Sequence, residues 1–371
     1  MKTKFMKSSL VMGGLMLMQL MAYAQQISVV NCNDPLPAKG YNRVRHIYYC
    51  PQKFPNFSMI SMHRGYWKDG PENSLNSVDG AIALNRSAKD APGFVELDIM
   101  KGKNGTMFLF HDFKLDRLTT GKGTVKSNYF TVVKSYNEIK NYDLKKEGAV
   151  FRGQHIPSLS AALDKIKPTG LMVNIDKGDY FLDDVYDLFI KKGMVDRVIS
   201  KGYLNPPKGK ASARTPALLK RKFPRHGDLI VKSYTPIIVP EDIIGTTDNP
   251  KVTKAEIDAW INTPGFPGFE IIYKKPDGPI LTDKRFNGMN IVDYVKSRGK
   301  RAGIFNEWPD NCQGTWNSPQ SKYKTTLATD ADRRGDFNFI DKYGADFIVT
   351  DRSSLLWQYL KTAGQRSLQR R

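Results

Sequence analysis

Short apolar runs alternate with amphipathic stretches along most of the chain. Residues 57–62 form an apolar run that stops at His63-Arg64-Gly65, and Pro71-Glu72-Asn73-Ser74 then opens a stretch in which Leu75, Val78 and Ile82 share one helical face. Residues 94–99 predict a second strand, with Glu96 and Asp98 on one face and Val95, Leu97 and Ile99 on the other, because side chains alternate with period two. After the turn signal Asn104-Gly105, residues 107–110 predict a third strand that ends at His111-Asp112. Further along, Ile156-Pro157-Ser158 starts a helix with Leu159, Leu163 and Ile166 on one face, 170–176 is a strand, and 180–192 is a helix. Residues 197–200, 229–231, 269–273, 301–305 and 346–349 complete the strand candidates, and Thr253-Lys254-Ala255-Glu256 reads as a capping box between two of them.

Strands alternating with helices predict an α/β fold with a parallel sheet, and the number of units favours a closed (β/α)8 TIM barrel over an open doubly wound sheet. No glycine-rich dinucleotide fingerprint follows the first strand, which counts against the open sheet. Nine strand candidates stand where the barrel needs eight, so one is surplus or belongs to an insertion. Residues 112–157, containing Thr119-Thr120-Gly121-Lys122-Gly123, are too long for a strand-to-helix loop and are expected to form a small cap after the third strand.

The barrel is expected over 57–362, behind an extension at 25–56 and ahead of a basic tail at 363–371. Residues 1–24 read as a signal peptide: Lys2, Lys4 and Lys7 precede an apolar run over 10–21, and Ala22-Tyr23-Ala24 is a small-x-small cleavage site. The run falls short of the ~20 residues needed to span a bilayer. The chain is therefore expected to be exported, to a periplasmic or extracellular location. Export permits disulfides, and Cys32 and Cys50 lie close enough in the extension to staple it; three unpaired thiols, with Cys312, is the other reading. Their spacing matches no zinc site.

Composition is that of a globular protein, with 40% hydrophobic and 25% charged residues in 371. The formal net charge of +20 becomes +17 once Lys2, Lys4 and Lys7 leave with the leader. Such a balance favours anionic partners, whether phosphorylated small molecules, a lipid surface or nucleic acid, and nucleic acid ranks last for an exported chain with no recognisable nucleic-acid-binding motif. Between 203 and 227 the chain carries Lys208, Lys210, Arg214, Lys220, Arg221, Lys222 and Arg225 without an acidic residue. This segment reads either as a solvated loop or as a lip that makes membrane-surface contact through anionic head groups.

In a parallel barrel, active groups sit at the carboxyl ends of the strands, which brings His63, Glu96, Asp98, His111 and Asp176 to one mouth. Two carboxylates ~4 Å apart repel by roughly 4 kcal/mol at an effective dielectric near 20, so the shared face of Glu96 and Asp98 calls for a cation or a raised pKa, and a divalent metal is the economical answer. With Asp176 the ligands are all oxygen, which suits calcium, magnesium or manganese better than zinc. That leaves His63 and His111 for proton transfer, with Arg64 beside the metal to neutralise phosphate oxygens. Glu72 is expected to orient the first turn, with some reach toward the metal, and Glu270 and Trp308 are further pocket candidates.

The same residues resemble a known family. His63-Arg64-Gly65, Pro71-Glu72-Asn73-Ser74, Glu96-Leu97-Asp98, Gly105 leading to His111-Asp112, Leu115, Arg117, Thr119-Thr120-Gly121 and Ile156-Pro157-Ser158-Leu159 are similar to the glycerophosphodiester phosphodiesterase family, densely from about Ser58 to Asp176. Residues 345–352 look like the family's last strand and turn. The resemblance implies a TIM barrel related to phosphatidylinositol-specific phospholipases and hydrolysis of glycerophosphodiesters to glycerol 3-phosphate and an alcohol. It further implies His63 and His111 as the acid/base pair, Glu96, Asp98 and Asp176 as metal ligands, and Arg64 and Lys177 facing phosphate. Two departures stand out. Where the family has a glutamate and, two residues later, a lysine, this chain has Asp176 with Lys177 immediately after, and a continuing strand would turn Lys177 away from the mouth. Near the seventh family strand, Phe305-Asn306-Glu307-Trp308 replaces a Trp-Thr-Val-Asn-like sequence. The alternatives left open are a phosphodiesterase acting on intact phospholipid head groups and a non-catalytic phosphodiester-binding barrel.

Overall fold

The computed structural model describes residues 27–87, 93–128, 131–204, 215–238, 252–273, 282–306 and 344–362. Eight parallel strands close into a barrel: β1 (Met59–Met62), β2 (Gly93–Lys101), β8 (Met172–Asp176), β9 (Val198–Tyr203), β10 (Tyr234–Ile238), β11 (Gly268–Tyr273), β12 (Arg301–Asn306) and β13 (Phe347–Thr350). The circle shuts because β1 pairs with both β2 and β13, Ile60 facing Gly93 on one side and Ile348 on the other. Residues facing outward, such as Val95, Leu97 and Ile99 of β2, pack under helices that include Leu75–Ser87, Leu159–Ile166 and Leu182–Lys191. Inward residues divide by height. Met59, Phe94, Met172, Ile199 and Phe347 fill the amino end with apolar bulk, and the polar residues lie nearer the carboxyl ends. This gradient places the chemistry at one mouth.

The surplus strand candidate is 107–110. Here β3 (Met107–Leu109) runs antiparallel to the upper part of β2, which overshoots the barrel before turning at Asn104-Gly105. The insertion that follows, between β3 and the helix at Leu159, is built from two small antiparallel pairs, β4 (Lys126–Asn128) with β5 (Thr131–Val132) and β6 (Asp143–Lys146) with β7 (Ala149–His155). It has its own small core around Leu115, Leu118, Val125, Ile139 and Ile156.

One strand expectation is overturned. Residues 229–231 are not a strand but part of the helix Gly227–Lys232, and the barrel strand is the next segment, β10. An apolar run of three residues is too short to fix a period.

The extension is part of the barrel's foundation. The helix Gly40–Tyr49 lies under the amino end, where the Tyr48 ring packs edge-on to Phe94 and Phe347 at 5.0 and 6.0 Å. Cys32 and Cys50 form a disulfide that fastens the segment before this helix to its end. Arg301, fully buried at the start of β12, donates to the backbone carbonyls of Ile47, Tyr48, Phe57 and Asp346, so a single guanidinium ties the extension to the entries of the first and last strands. A buried charge is tolerated when its donors are satisfied in this way. The leader at 1–24, the tail at 363–371, Cys312 and Trp308 lie outside the described residues.

Candidate active site

The site begins on β2. Period-two alternation turns Glu96 and Asp98 into the barrel, both fully buried, and the β2–β8 register sets Asp98 opposite Asp176. Each of the three carboxylates offers an oxygen within 4.8 Å of the others. Glu96 Oε1 and Asp98 Oδ1 accept no hydrogen bond among the described residues, and an ammonium group stands near each, Lys201 at 3.3 Å and Lys177 at 3.0 Å. Buried oxygens in that condition fit a divalent cation. Burial pushes the Glu96 carboxyl up to about 8, with Asp98 and Asp176 adding to the rise. Burial works in the same direction on Asp98, but Lys177, His111 and Arg64 together hold it well below the usual carboxylate range. The remaining oxygens are fixed: the Arg64 N–H donates to Glu96 Oε2 at 2.8 Å, and Asn73 Nδ2 donates to Asp98 Oδ2 at 2.7 Å while its own Oδ1 accepts from the Asp98 N–H at 3.0 Å.

The turn after β1 explains Arg64 and Gly65. Both adopt left-handed backbone, at φ 54° and 82°, and a Cβ on Gly65 would lie 2.4 Å from Ser77 Oγ. Only glycine fits there. This tight reversal leaves His63 at the mouth, with Nδ1 2.7 Å from Asp351 Oδ1, an oxygen that also accepts from Trp67 Nε1 at 2.9 Å.

His111 reaches the mouth by a different route. Because β3 runs back down antiparallel to β2, the Phe110 N–H bonds the Asp98 carbonyl at 3.1 Å, and the imidazole that follows returns to the level of Asp98. Its Nδ1 lies 2.7 Å from Asp112 Oδ1. Burial lowers the His111 pKa, assisted by the nearby Arg64 and Lys177 charges. Arg117 then grips Asp112 through Nε at 2.7 Å and Glu72 through both terminal nitrogens at 2.9 Å, and Arg64 reaches Glu72 Oε1 at 2.7 Å. Glu72 is thus buried between two guanidinium groups and holds the two turns together; it belongs to this arginine pair and not to the carboxylate triad.

Lys177 departs from the sequence-based expectation. The strand ends at Asp176, Lys177 takes φ 61°, and this left-handed step swings its ammonium back to Asp98 Oδ1 at 3.0 Å, so it does not point away from the mouth. Lys201 on β9 is a group that periodicity did not single out. It is buried inside the barrel, 3.2 Å from Glu270 Oε1 and 3.3 Å from Glu96 Oε1. Glu270, a pocket candidate by sequence, serves here as the counter-charge for Lys201. The basic segment is largely occupied where it is described: Arg225 pairs with Asp183, Asp184 and Asp187, Lys220 lies 2.6 Å from Asp228, and Lys222 donates to the Asp179 carbonyl at 2.8 Å.

Comparison with known proteins points the same way. Residues 63–203 match the Glycerophosphoryl diester phosphodiesterase family. A glycerophosphodiester phosphodiesterase of Caldanaerobacter subterraneus subsp. tengcongensis is 33% identical over 120 residues, 32% of this chain and 44% of that protein. One of Bacillus subtilis is 30% identical over 117 residues, 30% of this chain and 37% of that protein. The similarity thus spans less than half the length of these curated relatives. Among solved structures, a glycerophosphoryl diester phosphodiesterase of Parabacteroides distasonis superposes with a TM-score of 0.58 at 18% identity, covering 88% of this chain and 94% of that one. A putative one of Silicibacter pomeroyi gives 0.55 at 16% identity, with 86% and 98% covered. At these identities the superpositions speak for the barrel alone.

Proposed function

Because residues 63–203 match the glycerophosphoryl diester phosphodiesterase family, we propose that the chain is an exported, divalent-metal-dependent enzyme of that family that hydrolyses glycerophosphodiesters to glycerol 3-phosphate and an alcohol. The observation that carries this reading is the pairing of two aspartate-held imidazoles with a buried three-carboxylate cluster at one barrel mouth. Export is supported by the leader-like composition of residues 1–24 and by the Cys32–Cys50 disulfide, which suits an oxidising compartment.

Glu96, Asp98 and Asp176 would hold the metal, and calcium, magnesium and manganese all suit an oxygen donor set. Once bound, such an ion supplies charge neutralisation at the phosphoryl oxygens. The chain's own residues supply the rest. Arg64, Lys177 and Lys201 line the cluster with positive charge suited to the diester phosphate. Asp351 and Asp112 engage the Nδ1 atoms of His63 and His111, so proton movement falls to the Nε2 side of each ring. One imidazole takes a proton from the attacking water as its oxygen bonds to phosphorus. The other gives a proton to the alcohol oxygen as the old P–O bond breaks. The lowered pKa of His111 keeps it neutral near pH 7, which suits it to accept.

The test is release of glycerol 3-phosphate from glycerophosphocholine, glycerophosphoethanolamine and glycerophosphoinositol by the purified protein, with calcium, magnesium or chelator, beside H63A. Metal-dependent release that is lost in H63A is expected. A folded protein that releases nothing with either metal sinks the reading in favour of a non-catalytic barrel.

A further inference from the structure

Excursions that follow three neighbouring staves, β2, β8 and β9, meet in one group of side chains. From the cap come Phe113, two residues beyond His111, and Lys126, whose backbone N–H bonds the Phe113 carbonyl at 3.1 Å. The loop after β8 contributes Tyr180, and the helix Pro216–Lys222 after β9 contributes Lys222. The Lys126 ammonium lies 5.9 Å from the Tyr180 ring centre and 5.5 Å from that of Phe113, and the Lys222 ammonium lies 5.0 Å from the same Tyr180 ring.

We propose that Lys126 and Lys222, grouped around Tyr180, form the subsite for the alcohol arm of the substrate and select diesters whose alcohol carries a negative charge of its own. This deepens the phosphodiesterase reading and rests on it for the position of the reacting phosphate.

Lys126 is a lysine only 4% exposed, held in a cap that shares backbone hydrogen bonds with the strand end carrying His111. Burial lowers its pKa to about 8, Lys177 acting in the same direction and Asp179, Asp176 and Asp98 against it, so it is mostly protonated at neutral pH. Lys222 is pinned by its bond to the Asp179 carbonyl. The Asp179 carboxylate faces both lysines, and its burial drives it toward the neutral form, so the pair presents a net positive charge. A quaternary ammonium group seeks an aromatic face, but the face of Tyr180 already has two ammonium groups near it. A phosphate or carboxylate on the alcohol arm instead meets two cations.

The experiment measures calorimetric binding to the full chain carrying H63A, in calcium. The probes are glycerophosphoglycerol bearing a terminal phosphate, plain glycerophosphoglycerol, and glycerophosphocholine. The expected order is anionic, neutral, cationic, with about tenfold or more between the first and last. K126M and K222M, each added to H63A, are expected to collapse that ratio to within about threefold, whereas K126R keeps it. Equal affinities, a ratio that survives both methionine variants, or no measurable binding of the anionic probe overturns the subsite. Hydrolysis of the same three diesters by the unsubstituted protein is followed in parallel. If none is cleaved, the phosphodiesterase reading fails by itself, and the binding ratio still judges the subsite.

Discussion

Asp351 and Asp112 sit behind the two imidazoles, and that placement makes their roles separable from those of the proposed metal ligands. H63A and H111A are each expected to lower kcat by ~10²- to 10⁴-fold while leaving calcium-induced thermal stabilisation in place. D176A is expected to reverse that pattern, weakening calcium binding by at least ~10²-fold in a titration while both imidazoles stay on their aspartates. Asp179 gives a prediction about pH. Burial raises its folded-state pKa to about 7 from an ordinary value of 3.8, so between those values the folded protein binds more protons than the unfolded chain. The stability this contributes is present below pH ~4 and lost as pH rises through ~7. In chelator, D179N should therefore raise the melting temperature at pH 8 by an amount worth about 4 kcal/mol at most, and should give no gain at pH 4; equal effects at both pH values would contradict this. The turn residues at 63–65 and the alternating pair at 96 and 98 were legible in the sequence because local chemistry identifies them. Asp351 and Lys201 were not. Asp351 finds His63 across 288 positions, and Lys201 becomes a buried bridge only when β2 and β11 close around it.

Among the elements, β2 does the most. Its overshoot and the antiparallel return of β3 deliver His111, which explains why nine strand candidates were read for eight staves. The swap at 229–238 has a different cause: Pro236 lies inside β10 and removes a ladder donor, so the segment does not read as a central strand, and the apolar triplet before it does. Packing inside β12 is tight enough to test. A Cβ on Gly303 would come within 2.0 Å of the Phe347 ring on β13, so G303A should destabilise the barrel by about 1–3 kcal/mol in denaturant titrations. The N-terminal staple has a comparable weight. Cys32 and Cys50 are 18 positions apart, and replacing Cys50 by serine should cost about 3 kcal/mol, with a matching drop in stability when the native protein is reduced.

At the scale of the whole molecule, the barrel is plugged by apolar residues and the helix Gly40–Tyr49 at one end and holds its charges at the other. Metal binding at the charged end should therefore stabilise the entire fold: calcium at a hundred times its Kd is expected to add about 2.7 kcal/mol, read as a rise in melting temperature that chelator reverses. The closed circle also has a consequence in time. Because β1 pairs with β13, Arg301 clamps the carbonyls of residues 47, 48 and 57, and His63 is held by Asp351, the first stave waits for the last. A nascent chain that has emerged as far as the family-matching segment at 63–203 already carries both histidines and all three carboxylates, yet it has neither a shut barrel nor an oriented His63. The proposed activity should appear only when residue 351 is free to fold, so a chain cut short of that residue stays silent.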